Sequence, residues 1–229
     1  MPTALISYRV LYSKTNRAKQ LEGLFRAWNW LLSRATPRLA YAKHSECPFW
    51  YGERCQVGWL ALAAHRVGWV PLQEPNVSRK GKGAGRGDLS AIKGYRKNAK
   101  YYDFEAKFAN LDLSTLKPKK KFHHVDGIGK KLQSAVNQTR SKKVDYQGDV
   151  GVGLVFILLY TRKGTTKSDQ LDLLDNFKTS CTTKEALIRA KADFVALYLA
   201  SHSSVNKVFE KNDEEYEPCL GVAVLGKIA

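Results

Sequence analysis

The 229-residue sequence predicts an α/β protein with a mixed central sheet, its core running helix, three strands, helix, strand (αβββαβ). Three observations predict it. An apolar stripe at helical spacing runs through residues 51–67. Two alternating segments, 87–93 and 101–109, are joined as a hairpin. Val150–Tyr160 is apolar on both parities, as expected of a strand covered on both faces.

The elements follow in order. In residues 15–35, Leu21, Leu24, Phe25, Trp28, Leu31 and Leu32 recur at helical spacing, and Pro37 is the expected stop. The next helix presents Val57, Leu60, Ala61 and Ala64 on one stripe, with Gly68 placed to end it. A short strand, Trp69–Glu74, contains Pro71, which assigns it to a sheet edge or a bulge. Pro75–Arg86 is rich in Gly, Lys and Arg without periodicity and predicts a mobile basic loop. The hairpin strands follow, then a lysine-rich loop at 117–121 and a helix over 128–139 with Leu132, Ala135 and Val136 inward. Strand, helix and strand between Tyr101 and Tyr160 imply a parallel crossover pair. A helix over about 183–200, aliphatic through Leu187, Phe194, Val195, Leu197 and Tyr198, and a last strand near 220–228 complete the expected set. The organisation expected is one domain: a helical extension (1–48), the core (49–162), and a C-terminal helix and strand (163–229).

Lys and Arg number 38 against 21 Asp and Glu, a formal charge of +17 with a pI near 9.7. Such an excess favours a polyanionic partner, because each cation that meets a phosphate releases condensed counterions. A hydrophobic fraction of 44% argues against low-complexity disorder. Cys47, Cys55, Cys181 and Cys219 form no CxxC pair, so neither a disulfide framework nor a zinc ribbon is expected. No secretory signal or spanning segment is legible, and the expected location is cytoplasmic, with no membrane partner.

On the second hairpin strand, Tyr102, Phe104, Ala106 and Phe108 share one face; Asp103, Glu105 and Lys107 share the other. The preceding strand begins at Asp88, so hairpin pairing brings its carboxylate toward Glu105. Two carboxylates at close range suit a hard cation, Mg2+ or Mn2+. An adjacent lysine orients the attacking water or neutralises charge on phosphorus.

GRGDLSAI (85–92) followed by YYDFEAKF (101–108) resembles the D…ExK signature of the PD-(D/E)xK nuclease superfamily, which includes many restriction enzymes. The resemblance implies a restriction-endonuclease-like core, with Asp88 and Glu105 as metal ligands and Lys107 as the catalytic lysine. The segment 51–69 is similar to the first core helix of some members, where an acidic residue joins the site; that makes Glu53 a further candidate. Gly87 stands where the motif has proline, and Glu74 is an alternative to Glu53. The implied activity is Mg2+-dependent phosphodiester hydrolysis, with DNA the expected substrate and Mn2+ a substitute. The alternative is a nucleic-acid-binding protein on a nuclease-like fold that does not cut; a third reading is a basic structural or assembly protein.

Lys80, Lys82 and Arg86 flank Asp88 and are candidates for a phosphate-tracking groove. On the following helix Lys130, Gln133, Asn137 and Arg140 share a polar edge; Lys130, Gln133 and Arg140 are the nucleic-acid candidates. His123 and His124 are adjacent and point apart on an extended loop, so they are taken as non-ligands. The five tryptophans are assigned to core or interface. A homodimer or a protein partner is left open.

Overall fold

A computed structural model describes residues 8–12, 16–40, 48–49, 51–74, 76–79, 83–115, 127–141, 150–162, 164–181, 191–200 and 219–229. It is an α/β protein built on a mixed sheet with helices against both faces. The elements are β1 (Tyr8–Tyr12), α1 (Asn16–Lys19), α2 (Glu22–Ala40), α3 (Gly52–Arg66), β2 (Val70–Gln73), β3 (Asn76–Arg79), β4 (Gly83–Arg86), β5 (Leu89–Lys93), β6 (Lys100–Asp112), α4 (Ile128–Ser141), β7 (Val150–Tyr160), α5 (Lys167–Cys181), β8 (Phe194–Leu199) and β9 (Cys219–Ile228). Seven strands run in the order β1-β8-β9-β7-β6-β5-β2, and β3 and β4 form a separate two-stranded ladder. Only β6 and β7 pair in parallel in the larger sheet; its other ladders are antiparallel.

Side-chain parity builds the two faces. Tyr102, Phe104 and Ala106 of β6 join Val152, Leu154 and Phe156 of β7 beneath α2 and α3, where Phe25, Trp28 and Leu60 are buried. The opposite parity, including Val155 and Ile157, packs against Leu132 of α4 and Phe177 of α5. Burying side chains of this size stabilises the fold by about 1.5–3 kcal/mol each. The parallel crossover requires α4 to lie close on β7. At Gly153 a Cβ would fall 2.7 Å from the Val136 backbone nitrogen, so only glycine admits this approach.

The expected edge position of Pro71 is observed: β2 ends the sheet. Gly68 takes φ +78°, a left-handed residue just past α3. Three expectations are corrected. The first helix does not stop at Pro37 but continues to Ala40. The proline lies in the last turn, where its missing N–H removes a single helical bond, and the Thr36 hydroxyl donates to the Leu32 carbonyl at 2.7 Å. The expected loop at 75–86 is a strand pair over its described residues, since β3 and β4 pair from Asn76↔Arg86 to Arg79↔Gly83. Phe194–Leu199 is a strand rather than part of a helix. All six of its residues are buried, because β8 lies between β1 and β9 with apolar layers on both faces. Two elements, α5 and β1, were not anticipated. The rest of the expected 183–200 helix and the lysine-rich loop at 117–121 fall outside the described residues. Among the described residues, no helix is long and apolar enough to cross a membrane.

Candidate active site

Strand β6 outruns its hairpin partner, and this mismatch creates the site. The β5–β6 ladder begins at Leu89↔Phe104, whereas β6 continues to Asp112. From Glu105 onward, the β5-side edge of β6 is left without that strand, and its backbone groups need other partners. Two side chains meet the need. Asp88 Oδ2 accepts from the Ala106 backbone N–H at 2.6 Å. Lys131, reaching from α4, donates its Nζ to the Phe108 carbonyl at 2.6 Å. A carboxylate and an ammonium are thereby fixed along the segment that carries Glu105 and Lys107.

Glu53 enters from the first turn of α3. Burial pushes its carboxyl above the ordinary value of 4.5; Lys107 opposes this, Asp88 adds to it, and Lys131 and Arg54 oppose it in turn. Those interactions bring Glu53, Asp88, Lys107 and Lys131 into one electrostatic cluster contributed by α3, the loop before β5, β6 and α4. Glu74 lies alongside. It adopts φ +47° at the end of β2, its N–H donates to the Asp88 carbonyl at 3.2 Å, and its carboxylate faces the Arg54 guanidinium at 3.8 Å. Glu53, Arg54, Val57, Gln73, Glu74, Gly87 and Asp88 enclose a cavity of about 310 Å³. Both candidates for the supporting carboxylate, Glu53 and Glu74, therefore border the same cavity.

Glu105 and Lys107 do not form the wall of that cavity. Glu105 is 2% exposed, on the strand position beside the Asp88–Ala106 bond, and Lys107 is half-buried. Asp103, which shares their parity, accepts a hydrogen bond from its cross-strand partner Ser90, a sheet contact away from the cluster. Lys130, Gln133 and Arg140 are exposed on α4; the Gln133 amide donates to Asn137 Oδ1 at 2.8 Å along the helix. Arg86 ends β4. Lys80, Lys82, His123 and His124 lie outside the described residues. Lys131 and Arg54 escaped selection from the sequence, because nothing in the spacing distinguishes Lys131 from its neighbour Lys130 before α4 is docked.

The oxygen donors suit a hard divalent cation. Among the described residues, no three His, Cys, Asp or Glu groups form a ready-made metal cage. Asp88 engages one of its two oxygens with the Ala106 N–H. Comparison with protein-family models, curated proteins and solved structures returned no match.

Proposed function

We propose that this chain is a metal-dependent nuclease of the PD-(D/E)xK type, hydrolysing phosphodiester bonds, with DNA the first substrate to test. The observation that carries the reading is the Asp88–Ala106 bond at 2.6 Å, which holds one carboxylate on the strand between Glu105 and Lys107. With the separate β3–β4 ladder set aside as an insertion, the order α3, β2, β5, β6, α4, β7, with β6 and β7 parallel, agrees with the αβββαβ core that the motif implies.

In this reading Asp88 and Glu105 would hold Mg2+ or Mn2+, with Glu53 or Glu74 as the supporting carboxylate. The cation, when bound, polarises the scissile phosphate and lowers the pKa of an attacking water. Lys107 neutralises charge that develops on the phosphoryl oxygens, and Lys131 adds a second fixed positive charge nearby. Hydrolysis adds water across one P–O bond and yields a phosphate monoester and a hydroxyl. The basic surface, with Lys80, Lys82, Arg86, Lys130, Gln133 and Arg140 as its candidates, tracks the backbone.

The test is incubation of purified protein with supercoiled plasmid and with labelled single strands, under Mg2+, Mn2+ or chelator. Cleavage that requires the metal is the expected result. Binding without cleavage under every metal and substrate would transfer the assignment to a non-cutting nucleic-acid-binding protein.

A further inference from the structure

Gln56 is the feature of α3 that the reading above leaves unused. It is 0% exposed, and neither its Nε2 nor its Oε1 has a hydrogen-bond partner in the protein. An amide stripped of water with both ends unmatched is strongly disfavoured, so such a group in a packed interior calls for an explanation. Its neighbours on the helix do not invite polarity: Val57, Leu60 and Ala61 are buried apolar residues. A methionine or leucine would fill the position without the penalty.

The position supplies the explanation. Gln56 follows Glu53 by three residues on α3, so the two side chains occupy the same helical face one turn apart. Glu53, on that face, is near enough to Asp88 and Lys107 for their charges to act on its carboxyl, and α3 packs on α2, β2, β5 and β6. The outward and lateral positions are otherwise engaged, with Cys55 and Trp59 both bonded to the Pro48 carbonyl. A glutamine amide both donates and accepts, so a single water one helical turn from Glu53 can satisfy it and still donate to a carboxylate.

We infer that Gln56 is a positioning residue for this site: its amide anchors a buried water that bridges to the Glu53 carboxylate and fixes that carboxylate's orientation toward Asp88. Buried polar groups are commonly satisfied in this manner, by a water with several protein partners. The inference deepens the nuclease reading by naming what orients its helical carboxylate, and it rests on that reading only for its effect on cation binding.

Two measurements on the full chain test it. The first is a high-resolution crystal structure of metal-free protein. It should contain a water within hydrogen-bond distance of both the Gln56 amide and Glu53, and Gln56→Met should lose that water and turn the Glu53 side chain. A Gln56 amide bonded elsewhere, or a Glu53 unmoved by the substitution, overturns the inference whether or not the protein cuts DNA. The second is thermal unfolding titrated with Mg2+. Gln56→Met should leave metal-free stability unchanged or raised, since an unmatched buried amide gives way to an apolar side chain of similar shape. It should raise the Mg2+ midpoint about 10–100-fold, the usual effect of losing a group that supports a metal ligand. Gln56→Leu, apolar and of similar volume, is the second variant that guards against a failure specific to the first, and it should also raise the midpoint. An unchanged midpoint in both variants overturns the inference while leaving the nuclease reading intact. A bridging water in a wild-type protein that neither responds to Mg2+ nor cuts would support the positioning role and remove the nuclease reading.

Discussion

Asp88 Oδ2 sits 2.6 Å from the Ala106 backbone nitrogen, so the carboxylate expected to bind metal is also the cap of an open strand edge. The two roles separate by substitution. Asp88→Ala removes a hydrogen bond to a charged acceptor and should lower stability by about 1.5–3 kcal/mol. Asp88→Asn keeps an oxygen able to accept from Ala106 and should lose less. Both should reduce metal-dependent cleavage, on the order of 10²-fold or more for the loss of one electrostatic partner of the transition state. Urea denaturation beside plasmid cleavage checks the split; equal stability in all three proteins would deny the cap.

Glu53 makes the stability of the metal-free protein pH-dependent. Its folded pKa is raised, chiefly by burial, above the ordinary 4.5, so the folded state holds the proton more tightly than the unfolded state. Stability therefore falls as pH rises from about 4.5 through the folded pKa, and the full penalty is present only above that folded pKa. Glu53→Gln should be more stable than wild type at pH 7.5, with the difference vanishing at pH 4. A saturating divalent cation should reverse the order at pH 7.5, because positive charge favours the ionised carboxylate. Denaturation at the two pH values, with and without Mg2+, measures both signs.

Much of this arrangement was legible before the chain was folded. Strand parity assigned Tyr102 and Phe104 to the core, and Pro71 predicted the edge that β2 occupies. The C-terminal third misled because Phe194–Leu199 is uniformly apolar, and an unbroken run of six residues carries no period to distinguish strand from helix. Its length and its aromatic and β-branched content were the better guide. A signal for α5 was also present: the Thr166 hydroxyl accepts from the Asp169 N–H at 3.2 Å and donates to its carboxylate, and Gln170, Leu174 and Phe177 are buried at helical spacing. Within the site, Asp88, Glu105 and Lys107 were visible as a pattern on one hairpin. Lys131 was not, since its relation to Glu53 arises only when α4 and α3 dock from opposite faces of the sheet; Gln56 was not, since its spacing from Glu53 carries no sign that its amide is buried without a partner.

Gly153 tests that docking. A methyl group there would lie 2.7 Å from both the Val136 nitrogen and its Cγ2, and the backbone atom cannot move without shifting α4. Gly153→Ala should cost about 1–3 kcal/mol, the range for overpacking a filled core. Because Lys131 rides on the same helix, the variant should also weaken cleavage beyond its effect on stability. Thermal unfolding and initial cleavage rates on the same preparation check both parts.

The net charge of +17 predicts nucleic-acid affinity that falls steeply with salt, with a slope set by the number of phosphates neutralised. Charge reversal at Lys80, Lys82 and Arg86 should weaken binding and flatten that slope more than reversal at Lys207 and Lys211. Equal losses at the two places would indicate diffuse attraction rather than a groove. Fluorescence anisotropy over a range of NaCl concentrations makes the comparison.

Lys107 distinguishes an enzyme from a binding module. One phosphate-directed lysine among many adds little affinity, but it acts where charge develops in the transition state. Lys107→Ala should therefore lower cleavage on the order of 10²-fold or more while binding changes only a few-fold. Glu105→Gln preserves volume at a residue that is 2% exposed; it should abolish cleavage as well, yet tighten metal-free binding by removing an anion beside the phosphate. Glu53→Ala should fall between wild type and these two if that carboxylate only supports the metal shell. A pure charge effect predicts something different: the lysine and glutamate variants would shift binding in opposite directions and share no loss of cutting. Single-turnover cleavage and equilibrium binding of each variant decide between the two patterns, and a Lys107→Ala protein that cuts at the wild-type rate would remove Lys107 from the active site.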